Sequence, residues 1–172
     1  MPHEKSQSAT WKDFILISIY GPLILVQVVL VFKYYNYLNV TSLLYTGWVG
    51  LVLFFVIGYL PSRELKKRGS VSEGRSYMHT TVVVDSGIYA VVRHPQFLSW
   101  IILSGALALL SQHWLSVVCI FPVAVLVYME ALRADQSDVE KFGDDYKQYM
   151  QKVPRLNLLV GMYRVLRSRG SA

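Results

Sequence analysis

Arg93, His94 and Pro95 stand together in GIYAVVRHPQFLSW, residues 87 to 100, at the entrance to an apolar run. A guanidinium and an imidazole are costly beside hydrocarbon and are rare there without a task. Pro95 suits the first turn of a helix, where its missing N–H is no loss. Arg93 and His94 would then sit at a helix N-terminus, whose exposed N–H groups favour anions. Two apolar runs follow, Phe97–Leu110 and Trp114–Met129, and after them come the carboxylates of Glu130 and Asp135. If the runs form a tight hairpin turning at Ser111–Trp114, Arg93 and His94 return to the side of Glu130 and Asp135. A cation, an imidazole and two carboxylates at a helix N-terminus would make a polar pocket on a lipid-accessible hairpin. The blander alternative has Arg93 snorkelling to phosphate head groups, with Glu130 as its cap or pair. No Ser/His/Asp constellation and no His/Cys cluster is present, so no metal site is expected, and the single Cys119 can form no internal disulfide.

The elements that must position these residues are helices in a membrane. Of the 172 residues, 53% are hydrophobic and only 16% charged, and the mean hydropathy is +0.37. Soluble domains carry about 25% charged residues. The chain suits one unit, residues 1–172, with four spans at about 14–32, 43–60, 95–111 and 114–130. A spanning helix needs about 20 apolar residues, within a range of about 17–25. The first two runs satisfy this directly, and the last two do so by borrowing flanking residues. No small-residue cleavage site follows the first run, which is expected to be a retained anchor.

Charge sets the orientation. Of the 17 Lys and Arg, two precede the first span, Lys33 alone lies in the first loop, six fall between Pro61 and Gln96, and eight follow the last span. The positive-inside rule puts both termini, the 61–94 linker and the polar pocket on the cytoplasmic side. The net charge of +6 is thereby accounted for as topology, and no nucleic-acid partner is invoked.

Local signals punctuate this plan. Pro61 is expected to end the second span, followed by the polar linker PSRELKKRGSVSEGRS. TTVVV is a β-branched run closed by the turn signal DSG. In the tail, 131–172, a helix continues out of the membrane, stops near Gly143, restarts through Tyr146–Tyr149 and ends at Val153-Pro154. NLLVGMYRVLRSR mixes apolar residues with Arg164, Arg167 and Arg169, as an interfacial amphipathic helix would. His79 and His113 are read as linker and loop residues. Tyr34, Tyr35, Tyr37, Trp48, Trp100 and Trp114 are read as packing or interfacial aromatics.

SGIYAVVRHPQFLSW resembles the G-x-Y-x-x-x-R-H-P-x-Y signature of the isoprenylcysteine carboxyl methyltransferase and phospholipid methyltransferase superfamily. FGDDYKQYMQKVPR is similar to that superfamily's F-G-x-x-Y-x-x-Y-x-x-x-V-P tail, and the two together cover roughly residues 82–155. The resemblance implies an integral membrane enzyme that binds S-adenosylmethionine on the cytoplasmic side through both motif regions. By position it assigns Val82, Val83, Val84, Tyr89, His94, Pro95, Gln96 and Phe97 to the cofactor. The superfamily's Glu-Glu pair falls on Ala134 and Asp135, so one carboxylate is missing. Glu130, one helical turn before Ala134, is the candidate substitute. Its E-E-x-x-L leucine is Asp138, and the tyrosine after R-H-P is Phe97.

Methyl transfer needs an acceptor held in line with an activated carbon, and orientation of that kind contributes about 7–11 kcal/mol. Glu130 or Asp135 would hold the cofactor's ribose or ammonium, and Arg93 or Arg133 an anionic acceptor. A prenylcysteine carboxylate ionises near 3.3–3.7 and needs no base. A phospholipid amine would need one. The expected partner is therefore a lipophilic substrate, foremost a prenylated cysteine, its tail placed where Gly50 and Gly58 leave room. Phospholipid amines, small thiols and a non-catalytic membrane adaptor remain as alternatives.

Overall fold

The computed structural model describes residues 11–70 and 80–170. These form α1 (Trp11–Lys33), α2 (Thr41–Arg68), α3 (Pro95–Ser111), α4 (Trp114–Phe142), α5 (Asp144–Lys152) and α6 (Leu158–Arg169), with a 3-10 turn at Gly87–Ala90 and no strand among the described residues. Arg75 and His79 lie outside the described residues. By length and composition α2 and α4 can cross a membrane, while α3 and the apolar part of α1 from Tyr20 are shorter apolar helices. α2 leaves Val49, Val52, Phe55, Val56 and Tyr59 exposed. A soluble protein rarely shows so large an apolar face. These are the surfaces of a membrane protein.

α3 is the middle helix and touches α1, α2 and α4. Its contact with α2 is close because small residues line it. A side chain on Gly47 would run into Leu110, and one on Gly50 would meet the Ala106 methyl at 2.9 Å. Gly58 faces Ser99. The room expected at Gly50 and Gly58 for an apolar tail is therefore taken by α3. Close approach through small residues is the usual way helices gain dispersion contact in lipid, which offers no hydrophobic drive of its own.

On the other side of α3, Tyr20 and Ile24 of α1 pack against Leu107, Val123 and Val127. Gln27, fully buried, stitches three helices there. Its amide donates to the carbonyls of Ser104 (3.1 Å) and Ser116 (2.8 Å), and its oxygen accepts from the Ser104 hydroxyl (2.9 Å). The far ends of the helices are knit as well. Gln112, in the left-handed conformation at the end of α3, donates to Asn36 Oδ1 and the Val40 carbonyl, and His113 caps α4 and stacks on Tyr34.

One helix runs past its expected end, and another stops where the sequence predicts. Pro61 does not stop α2, which continues to Arg68 and is capped at Gly69. The proline is buried, and the residues after it are helix formers, with Glu64 and Arg68 paired one turn apart at 3.5 Å. α4 continues as one helix to Phe142, ends at Gly143 (φ +61°), and the chain restarts at Asp144. α3 begins at Pro95, as the sequence predicts.

Replacing Gln27 with Leu removes three interhelical hydrogen bonds inside the bundle. Reversible unfolding in bicelles should show a loss of about 2 kcal/mol, three bonds at the membrane average of about 0.6 kcal/mol each. An unchanged midpoint would mean that apolar packing alone holds α1.

Candidate functional site

The chain between α2 and α3 is laid down by a few fixed points. Gly87 adopts φ +60°, and the space a Cβ would need is filled by the Glu64 side chain, so glycine is required there. After the Gly87–Ala90 turn, a short strap, residues 91–94, with Val92 fully buried, leads through Arg93 and His94 into Pro95. The strap is fastened to the segment after α5. Arg93 N–H donates to the Pro154 carbonyl (3.0 Å) and His94 N–H to the Arg155 carbonyl (3.2 Å). Tyr149 adds a third tie, its hydroxyl donating to the Tyr89 carbonyl at 2.6 Å. The two sequence motifs are thus bound backbone to backbone.

Asp135 sits between them. Its Oδ1 accepts from Arg93 Nη1 (3.0 Å), His94 Nε2 (2.7 Å) and the Tyr146 hydroxyl (2.9 Å), and its Oδ2 from Arg155 Nε (2.6 Å). The side chain is only 4% exposed. Burial pushes its carboxyl upward, but the bonds from His94 and Arg155, with further help from Tyr146, hold it at about 2. Burial, reinforced by Asp138 and Asp135, raises the Tyr146 hydroxyl well above its ordinary value, so it stays a donor. Burial also pushes up the carboxyl of Asp138, one turn further along α4.

Of the residues singled out in the sequence, Arg93, His94 and Asp135 meet. Pro95 is buried, Gln96 is exposed, and the half-buried Phe97 ring lies 5.5 Å from the His94 ring. Glu130 is turned elsewhere, and its Oε2 accepts from the Tyr20 hydroxyl of α1 at 3.0 Å. Arg133 is exposed, and at 100° per residue it lies on the opposite side of α4 from Asp135. Val84 is buried, while Val82 and Val83 line a cleft. Sequence reasoning passed over Arg155, Tyr146 and Tyr149. The tyrosines were available as the two motif tyrosines, and Arg155 as the residue directly after V-P. Among the described residues, no group of three His, Cys, Asp or Glu side chains could hold a metal ion.

Two openings flank the cluster. A cleft of about 900 Å³ lies between the Thr81–Ala90 segment, α5 and α6, with Val82, Val83, Tyr149 and Val153 among its apolar lining and Asp85, Asp145 and Lys152 among its polar lining. An apolar groove of about 610 Å³ runs between α3, Tyr128 of α4 and residues 155–159. α6 is held against the strap at Gly161, where any side chain would collide with the Val91 carbonyl.

Residues 70–140 match the model of the isoprenylcysteine carboxyl methyltransferase (ICMT) family. On this match the chain resembles that family over less than half of its 172 residues. It is similar to the protein-S-isoprenylcysteine O-methyltransferase of Schizosaccharomyces pombe, at 28% identity over 99 residues. The alignment covers 52% of this chain and 42% of that relative, so the chain spans less than half of the relative's length. No solved structure matches significantly. The ICMT match begins just after α2 and ends within α4, so it takes in the strap, α3 and Asp135 and stops before Tyr146 and Arg155.

Asp135 also makes a prediction about pH. A carboxyl held below its unfolded value of 3.8 stabilises the fold above that value and loses the contribution as pH falls toward about 2. The contribution is roughly 2 kcal/mol. Asp135→Asn, which removes the charge from a buried network, should cost about 3–5 kcal/mol near neutral pH. The gap between wild type and variant, followed by denaturant unfolding, should narrow between about pH 4 and 2. A gap that is constant across that window would show that the charge of Asp135 is not what matters.

Proposed function

We propose that this protein is an S-adenosylmethionine-dependent methyltransferase of the membrane, with a lipophilic acceptor, most specifically the α-carboxylate of an isoprenylcysteine. The observation that carries this is the clasp at Asp135, which fixes the two motif segments of the superfamily around a cleft beside apolar helices. The similarity to the Schizosaccharomyces pombe enzyme supports it from a separate direction.

The cleft suits the cofactor. About 900 Å³ lies within the usual range of about 300–1,000 Å³ for small-molecule sites. Asp85 and Asp145 offer carboxylates for ribose hydroxyls or an ammonium group, Lys152 a cation for a carboxylate, and Phe142 and Tyr149 aromatic rings for a base or a sulfonium. Arg93 Nε and the Ser86 hydroxyl, both buried beside this segment, have no hydrogen-bond partner. Bound here, S-adenosylmethionine supplies an activated methyl group.

The chain's own residues then have orienting work. Val82 and Val83 present an apolar wall. His94 and Arg93 act through Asp135 to keep the start of α3 and the Pro154–Arg155 segment in register. Glu130 fixes α1 through Tyr20. A carboxylate acceptor reaches the site already ionised and needs no proton removed.

For the membrane we propose four spans with the clasp on the cytoplasmic side. The charge distribution supports this. Lys66, Lys67, Arg68, Arg93, Lys152 and Arg155 gather at the clasp end of the bundle, whereas the knitted end near Asn36 and Gln112 has Lys33 alone close by. α3, at 17 residues, is about 25 Å long and stands at the lower limit for a span.

The test is transfer of labelled methyl from S-adenosylmethionine to N-acetyl-S-farnesylcysteine by purified protein in lipid nanodiscs. The expected product is a base-labile ester. Protein that methylates phosphatidylethanolamine and leaves the farnesylcysteine untouched would overturn the carboxylate in favour of an amine acceptor. Folded protein that transfers methyl to neither and binds no S-adenosylmethionine would make the chain an adaptor.

A further inference from the structure

Arg155 differs from Arg93, the other arginine on Asp135, in keeping unused donors on a side chain that is partly exposed. A guanidinium carries five N–H donors. Arg155 uses Nε on Asp135 Oδ2 and Nη1 on the Tyr128 hydroxyl (2.8 Å), with the Tyr128 ring 5.3 Å from its carbon, and no other hydrogen bond is drawn from it. Arg93, by contrast, has a side chain only 7% exposed, whereas that of Arg155 is 22% exposed. Both guanidiniums bond to the carboxylate of Asp135, and Arg155, the more open of the two, keeps donors free on its exposed side.

That open side is the end of the apolar groove. Its walls are Leu98, Ile101 and Ile102 of α3 on one side and Leu156, Leu158 and Leu159 on the other, with Arg155, Tyr128 and Asn157 as its polar members. A groove of hydrocarbon side chains with a partly free guanidinium at its head is complementary to an amphiphile with an anionic head and an apolar tail. A fork-shaped cation matches a carboxylate through two parallel N–H···O bonds. The groove also lies next to the cofactor cleft in the chain. Val153 lines the cleft and Arg155, two residues on, lines the groove.

We propose that Arg155 anchors the carboxylate of the acceptor, that the groove walled by α3 and Leu156–Leu159 receives the beginning of its prenyl tail, and that the occupant is a free isoprenylcysteine carboxylate. This assignment rests on the methyltransferase function proposed above. It moves the anchoring cation from Arg133, on the far side of α4, to a residue already held by the clasp. The tail lies on the α3–α4 side of the bundle, because the α2–α3 interface is filled.

The test is equilibrium binding of labelled N-acetyl-S-farnesylcysteine and of its methyl ester to the full chain in phosphatidylcholine nanodiscs. The wild type should prefer the acid, because the ester offers no charge to Arg155. Arg155→Gln should weaken the acid by about tenfold to a hundredfold and leave the ester unchanged, so the preference disappears. Arg155→Lys keeps a cation without the fork and should retain part of the preference. Ile102→Trp, which fills the groove far from the Asp135 network, should weaken acid and ester alike. If Arg155→Gln fails to fold, the Lys and Trp variants still decide the matter. Full acid preference in folded Arg155→Gln, or unchanged binding in Ile102→Trp, would overturn the assignment. So would displacement of the acid by phosphatidic acid in the disc at equal mole fraction, which would mark a phospholipid phosphate site. Acid preference lost in Arg155→Gln while the wild type transfers no methyl group would leave the anchor standing and sink the activity instead.

Discussion

One buried carboxylate holds together parts of the chain that share no secondary structure. Asp135 accepts hydrogen bonds from the strap before α3, from α5 and from the loop after α5, and it lies on α4 itself. Isolated in a low-dielectric interior, an ionised carboxylate would be driven to take up a proton. Here four donors make the ionised form the favoured one, and each donor is in turn fixed by needing to reach it. The backbone bonds between Arg93–His94 and Pro154–Arg155 then follow from that convergence. Removing any single donor leaves the others satisfied. Removing the carboxylate leaves two guanidiniums facing each other.

The apolar helices supply the frame for this cluster. Gln27 joins α1 to both arms of the α3–α4 hairpin, and the glycines of α2 let α3 lie close enough to be covered on that side. What remains open on α3 is the face of Leu98, Ile101 and Ile102. Packing of small residues on one side and a groove on the other give α3 two distinct surfaces, and the polar cluster sits at the end where both begin. α6, pinned at Gly161, borders the cleft through Val165 and the groove through its own Leu158 and Leu159.

Much of this was legible in the sequence wherever a local rule decided the outcome. Pro95 at a helix start, Gly143 at a helix end and Val153-Pro154 as a stop are set by missing N–H groups and by positive φ, which neighbours do not alter. Pro61 was misleading because a buried proline inside a run of helix formers bends to its packing. Arg93, His94 and Asp135 were legible as a group because the hairpin returns them to one end. Whether Glu130 or Asp135 would face the strap was not, since the two lie about 140° apart on α4 and the helix's rotation is set by packing against α1. Arg155 was hidden among the basic residues that topology alone explains. Gly50 and Gly58 read as vacant space because a sequence shows small residues without showing what fills them.

The central claim is that the clasp at Asp135 shapes a site for S-adenosylmethionine. It is tested most directly by titration calorimetry of that cofactor against purified full-length protein in nanodiscs, beside a folded Asp135→Asn variant. The account predicts saturable one-site binding by the wild type and binding at least tenfold weaker by the variant. Equal affinities, or no binding by the folded wild type, would contradict it.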